Sequence, residues 1–274
     1  MENIFIFTIK RNKIAQLLVV ILIALSVWWI TMFARGLQEG LENNTYTLVY
    51  PLIAFIGSVS GLMVSKKWGG MSSVIGRGLT LLSFGLFAQF FGQASYAYLL
   101  YVQGKPVEEL YPSVGDVGYF GSVVLYFFSL IFIAKVVGVK LSMRSYKNHI
   151  FSILIPFLML GLSYYLLLRD YVVDWSVPIT TLLDLGYPLG QAMYVSLAIL
   201  TYTFSRKFLG GLMRGPILFL LVALVVQYIS DFTFLYQLRL EQWYVGGIND
   251  YMYTVSYALM AIGLIQIGRA LDRI

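Results

Sequence analysis

Four aspartates, Asp116, Asp184, Asp231 and Asp250, stand apart from the other acids of this sequence because each falls within or at the edge of a long apolar run. A carboxylate is costly in hydrocarbon, so it normally faces a protein interior or a cavity and is a binding candidate. Three of the four share a pattern. Asp116, Asp184 and Asp250 are each followed three residues later by a tyrosine, Tyr119, Tyr187 and Tyr253. On a helix that spacing sets acid and phenol on one face. Thr47-Leu48-Val49-Tyr50 is a further copy with threonine in the place of the acid, and the four blocks begin 69, 68 and 66 positions apart. A near-constant period of this size predicts repeated helix pairs. The chemistry implied is a ring of carboxylates and phenols around a pocket for a small ligand or a cation.

A plainer role competes with this one. Asp and Thr are favoured at helix N-caps, where the side chain accepts a backbone N–H. Asp116 follows Gly115, and Asp250 follows Gly247-Ile248-Asn249, so both can serve as caps alone. Asp184 follows the apolar stretch 177–183, which can already be helical. Asp231 has no capping role to play. It sits near the C-terminal end of its run, where the helix dipole disfavours negative charge. A tyrosine hydroxyl, Arg239, a bound cation or a proton must offset it, and the expected position is inside the bundle near Tyr187 or Tyr253.

Other chemistries fit less well. Gly115-Asp116 is part of the intramembrane aspartyl protease signature, but Ser113 stands where that motif has glycine, and the chain has no Tyr-Asp pair. A retinal-type Schiff base needs a mid-span lysine, and Lys135 lies at the end of its run, where it can snorkel. His149 is alone and cysteine is absent, so no metal or cofactor is expected. Asn43-Asn44-Thr45 is a glycosylation sequon close to an apolar run. No nucleophile–base pair or phosphate loop suggests an enzyme acting on a soluble substrate, and no catalytic residue can be named.

These residues are positioned by apolar helices. Hydrophobic residues make up 59% of the 274 and charged ones 12%, about half the charge of a soluble domain, with a mean hydropathy of +0.79. Eight spans are predicted: 14–34, 46–64, 78–101, 116–137, 149–168, 181–204, 216–236 and 250–268. The first reads as a span and not as a cleaved leader. Of 19 basic residues, only Arg35, Lys105, Arg169 and Arg239 fall on one side of this pattern, which leaves 15 on the other. By the positive-inside rule both termini are cytoplasmic, in a plasma membrane. Most loop acids lie on the outer side, so the net charge of +6 marks topology and contact with the bilayer, and nucleic-acid binding is not expected. Every even span then runs inward and opens with one block. The fold class is an all-α polytopic bundle of four parallel-orientation hairpins, one membrane domain over 1–274 with no soluble domain.

Two stretches, Ser113-Val114-Gly115-Asp116-Val117-Gly118-Tyr119-Phe120 and Leu183-Asp184-Leu185-Gly186-Tyr187-Pro188-Leu189, carry a resemblance, with Ser230-Asp231 a looser match. The chain is similar to the multispan bacterial membrane regions that precede GGDEF-type diguanylate cyclase domains and some histidine kinases. That resemblance implies a membrane sensory module. No output domain follows within these residues, so the module is expected to signal through a separate partner protein. A small-solute carrier coupled to protons or cations is the alternative, and a structural scaffold is a third. A carrier predicts polar groups continuing to the inner side, as Gln191, Thr201 and Thr203 do in the sixth span, whereas stretches such as 127–134 are apolar.

Overall fold

The computed structural model describes residues 4–139, 146–205 and 211–272. All regular structure among them is helical. The helices are α1 (Ile4–Arg11), α2 (Lys13–Ala34), α3 (Leu41–Val49), α4 (Leu52–Lys67), α5 (Val74–Ala97), α6 (Val114–Val136), α7 (Tyr146–Ser163), α8 (Pro178–Ser205), α9 (Arg214–Arg239) and α10 (Ile248–Leu271). Five of the basic residues used to infer topology, Lys140, Arg144, Arg206, Lys207 and Arg273, lie outside the described residues.

Local chemistry sets the boundaries. Asn12 caps α2, its side chain accepting from the amides of Ile14 and Ala15 at 2.9 and 3.0 Å. Ser73 caps α5 through the Gly76 amide. Pro51 has no N–H to donate and separates α3 from α4 in what is otherwise one rod. Single π-turns, Tyr98–Val102 and Tyr164–Leu168, extend α5 and α7.

Seven segments are long and apolar enough to cross a membrane: Lys13–Ala34, Leu41–Lys67, Val74–Val102, Val114–Val136, Tyr146–Leu168, Gly211–Arg239 and Ile248–Leu271. They make this a multi-pass membrane protein. The remaining expected span lies in α8, which at 28 residues is long enough but is not among the seven. Its buried face carries Thr181, Gln191, Ser196 and Thr201, and those polar groups dilute its apolar character.

Six helices close into a ring in the order α4, α5, α6, α8, α9, α10 and back to α4. α2 and α7 lie outside it, on α10 and α8 respectively. The outer pair is the more exposed, and α10, flanked by α2, α4 and α9, is the most enclosed. One expectation of the hairpin pattern therefore changes: α2 packs mainly on α10 and not on α4, its neighbour in sequence. The reason is visible at Trp29. Its Nε1 donates to the carbonyls of Gly246 and Gly247 at 3.2 and 3.1 Å, and its ring stacks on Tyr251 at 4.6 Å. Trp29 is a buried lock between α2 and the start of α10.

Lipid gives helices no hydrophobic reason to associate, so close backbone approach matters. Among the described residues α5 and α6 make the most extensive contact. At Gly118 an added Cβ would lie 2.4 Å from the Ala88 carbonyl oxygen and 2.6 Å from the Gly92 nitrogen. Only glycine lets these two backbones meet so closely.

Candidate functional site

Where α6, α8 and α10 begin and α5 and α9 end, the ring opens into a cavity of about 500 Å³. Asp116, Asp184, Asp231 and Asp250 all line it, and so do Tyr119, Tyr187 and Tyr253. The seven residues chosen from sequence come together here. Tyr50, from the block that lacks an acid, lines it as well.

The acids do not bond to the tyrosines of their own blocks. Tyr187 donates to Asp116 at 2.8 Å, and Tyr50 to Asp250 at 3.3 Å. Tyr119 donates instead to Gln93 at 2.7 Å. An acid and a phenol on one helix face point side by side into the ring, so each phenol reaches the neighbouring helix. The blocks thus tie adjacent helices together.

The capping question resolves in an unexpected way. Ser113 is the N-cap of α6 and Asp116 is its third residue, reaching back to the Ser113 amide at 2.7 Å in a capping box. Asp250 likewise holds the third position of α10, and its Oδ2 accepts from the Gly246 amide at 2.7 Å and from Thr47 at 3.1 Å. Neither is an N-cap as expected; each holds a helix start with one oxygen and a neighbouring tyrosine with the other. Thr47 sits within α3 and caps nothing.

Asp184 lies in the second turn of α8 and accepts from two loop phenols, Tyr111 at 2.6 Å and Tyr171 at 2.9 Å. It therefore draws the α5–α6 and α7–α8 connections over the cavity. Burial, followed by the bond to Asp184, pushes the Tyr111 phenol above the ordinary tyrosine range.

Asp231 is 3% exposed and points into the bundle. Tyr194 donates to its Oδ2 at 2.7 Å, while Gln227 and Tyr253 donate to Oδ1 at 2.9 and 3.0 Å. Proximity to Tyr253 is as expected. Arg239 is not its partner: that guanidinium lines the cavity rim but bonds to Asp170 and to the Leu166 carbonyl. Arg169 above all, with Arg239 adding to it, holds the Asp170 carboxyl below the usual range. Among the described residues none of the four cavity acids forms an ion pair.

The floor is a layer of side-chain hydrogen bonds. Tyr257 donates to Gln89 at 3.0 Å and Gln89 to Ser122 at 2.7 Å, while Ser256 donates to Gln227 at 2.7 Å. Beyond it Leu86, Leu130, Ala198, Leu224 and Ala261 fill the ring and are wholly buried. Buried hydroxyls and an amide, Ser83, Ser129, Thr201 and Gln266, stand among the helices with these apolar side chains.

Several lining residues were missed from sequence: Gln89, Gln93, Tyr111, Tyr171, Trp243 and Asn249, with Tyr194 and Gln227 behind them. Part of the signal was present. Amides inside apolar runs are costly, and Gln89 and Gln93, or Gln227 and Asp231, sit four residues apart on one helix face. No sequence pattern marks Tyr111 or Tyr171, which reach the site from loops.

Comparison with protein-family models, with curated proteins and with solved structures finds no match to this chain.

Proposed function

We propose that the chain is a membrane receptor module: it binds a small ligand in an outward-facing pocket and passes the event to a separate partner protein. On this reading it crosses the plasma membrane eight times, α8 included, as four hairpins of like orientation with both termini cytoplasmic. The uneven distribution of Lys and Arg supports that topology, since it assigns the cavity end to the outer side. The gathering of all four repeat blocks at one end of the bundle supports the like orientation. The likeness to membrane sensory regions points the same way. The bowl itself carries the argument. A binding site needs one mouth, whereas a carrier needs a path to the far side, and the hydrogen-bonded layer with the wholly buried side chains beneath it supports the first reading.

Cysteine accessibility tests this on a chain with no cysteine of its own. Val123→Cys lies in the bowl and Ala198→Cys among the buried side chains beneath it. A membrane-impermeant thiol reagent applied from outside is expected to label the first and not the second. From inside it should label neither. Labelling at position 123 from the inside would establish alternating access and replace the receptor reading with a carrier.

A further inference from the structure

The geometry points to a ligand class: the bowl takes a small organic ammonium, a protonated amine on a compact aromatic or apolar body that also carries a hydrogen-bond acceptor. This inference rests on the binding-module reading and deepens it.

The charge inventory is one-sided. Four carboxylates line the cavity against the single guanidinium of Arg239, which is held at the rim by Asp170. Neutral donors surround the acids, and no lysine, arginine or histidine among the described residues pairs with them. Carboxylates taken out of water without a countercharge are unstable, and a cationic guest removes that cost. An anionic guest adds to it.

The arrangement of the acids suits an organic cation better than a metal ion. Among the described residues no three acid or histidine side chains converge closely enough to hold one. The negative charge is spread over the walls, which suits a cation whose own charge is diffuse. Between the acids stand phenol rings, including Tyr119, Tyr187 and Tyr253, and the face of such a ring attracts an ammonium that lies over it.

Two buried amides give an independent sign of a guest. Gln191 is 4% exposed and its Oε1 has no partner; Asn249 is 0% exposed and its Nδ2 has none. Both line the cavity. Trp243 Nε1 donates to the Asn249 Oδ1 at 2.8 Å, which fixes the amide and leaves its Nδ2 buried beside the bowl without a partner. Buried polar groups are almost always satisfied, so a vacant acceptor and a vacant donor on residues of one cavity wall suit a guest with complementary atoms. Gln191 accepts from the ammonium, and Asn249 donates to a hydroxyl or carbonyl.

Titration calorimetry on the full chain in lipid nanodiscs tests this with three probes that differ at one end: tyramine (ammonium), tyrosol (hydroxyl) and 4-hydroxyphenylacetate (carboxylate). Tyramine is expected to bind at least about tenfold more tightly than tyrosol, and the carboxylate not detectably. Asp231→Asn should narrow the preference for tyramine over tyrosol several-fold, a ratio that does not depend on the amount of folded protein. Gln191→Met should weaken tyramine several-fold in a chain whose acids are all intact. Equal or tighter binding of tyrosol or the carboxylate would overturn the ammonium assignment and leave the receptor reading standing. So would no tyramine binding at millimolar concentration. The receptor reading itself falls only to inside labelling at position 123.

Discussion

Replacing Gly118 with alanine should loosen the α5–α6 pair, and the structure gives the size of the effect. The new methyl group would stand 2.4 Å from the Ala88 oxygen, 2.6 Å from the Gly92 nitrogen and 2.9 Å from the Gly92 Cα, where ordinary contact begins near 3.4 Å. All three obstacles are backbone, so no rotamer change relieves them and α5 must withdraw by about 1 Å. Overpacking of this kind costs about 1–3 kcal/mol, and rigid neighbours favour the upper end. Alanine returns up to about 1 kcal/mol through its better helix propensity. The net loss is therefore about 2 kcal/mol. Gly121, in the same helix, is the control: nothing lies within 4 Å of a Cβ there, so Gly121→Ala should gain up to about 1 kcal/mol. At about 2–4 °C per kcal/mol for a chain of this size, the two variants should unfold about 6–12 °C apart. Thermal unfolding in one detergent, followed by tryptophan fluorescence, reads the difference. If the two midpoints fall within about 2 °C, the close approach of α5 and α6 is not what stabilises this face.

Asp231→Asn should change stability by less than about 1 kcal/mol, because the amide keeps an acceptor for Tyr253 and Gln227 and the Tyr194 hydroxyl can turn to accept. Asp231→Ala strands those donors and should cost at least about 2 kcal/mol in the same unfolding assay; equal stabilities would mean that the three bonds contribute little. Cysteines at the exposed positions Met71 and Val172 should be labelled by an impermeant reagent only from the inside and only from the outside, respectively, and the reverse pattern would invert the topology. Asp170→Asn removes the surface ion pairs with Arg169 and Arg239, and exposed pairs contribute little to stability, so unfolding should not move. It also frees Arg239 to turn towards the cavity acids, and tyramine affinity should fall; unchanged affinity would place Arg239 outside the electrostatics of the bowl.

The helices were legible because hydrocarbon imposes length and apolarity on any chain that crosses it, and seven predicted spans match segments that meet both demands. The blocks were legible as a period, and Asp231 as a charge with no local excuse. Packing order was not. Nothing near Trp29 in the sequence says that its indole will seek carbonyls 217 residues away, and so the place of α2 beside α10 could not be read. The dual use of Asp116 and Asp250 was hidden for a related reason. Capping is a local matter and visible in a short window, whereas the tyrosine bonded to the second oxygen belongs to another block.

The enclosure of α10 bears on how this molecule is made. A ribosome delivers α10 after every other helix of the ring, yet Trp29, Asn43, Tyr46, Thr47 and Tyr50 all find their hydrogen-bond partners on it or in the loop just before it. Until it arrives, the first third of the chain sits in the bilayer with polar groups unmatched, a state hydrocarbon penalises. Insertion must therefore be followed by a late closing step in which the newest helix fills the gap between α9 and the older α2 and α4. Nascent chains halted before Ile248 should be open arcs, exposed to membrane quality control, rather than smaller versions of the finished ring.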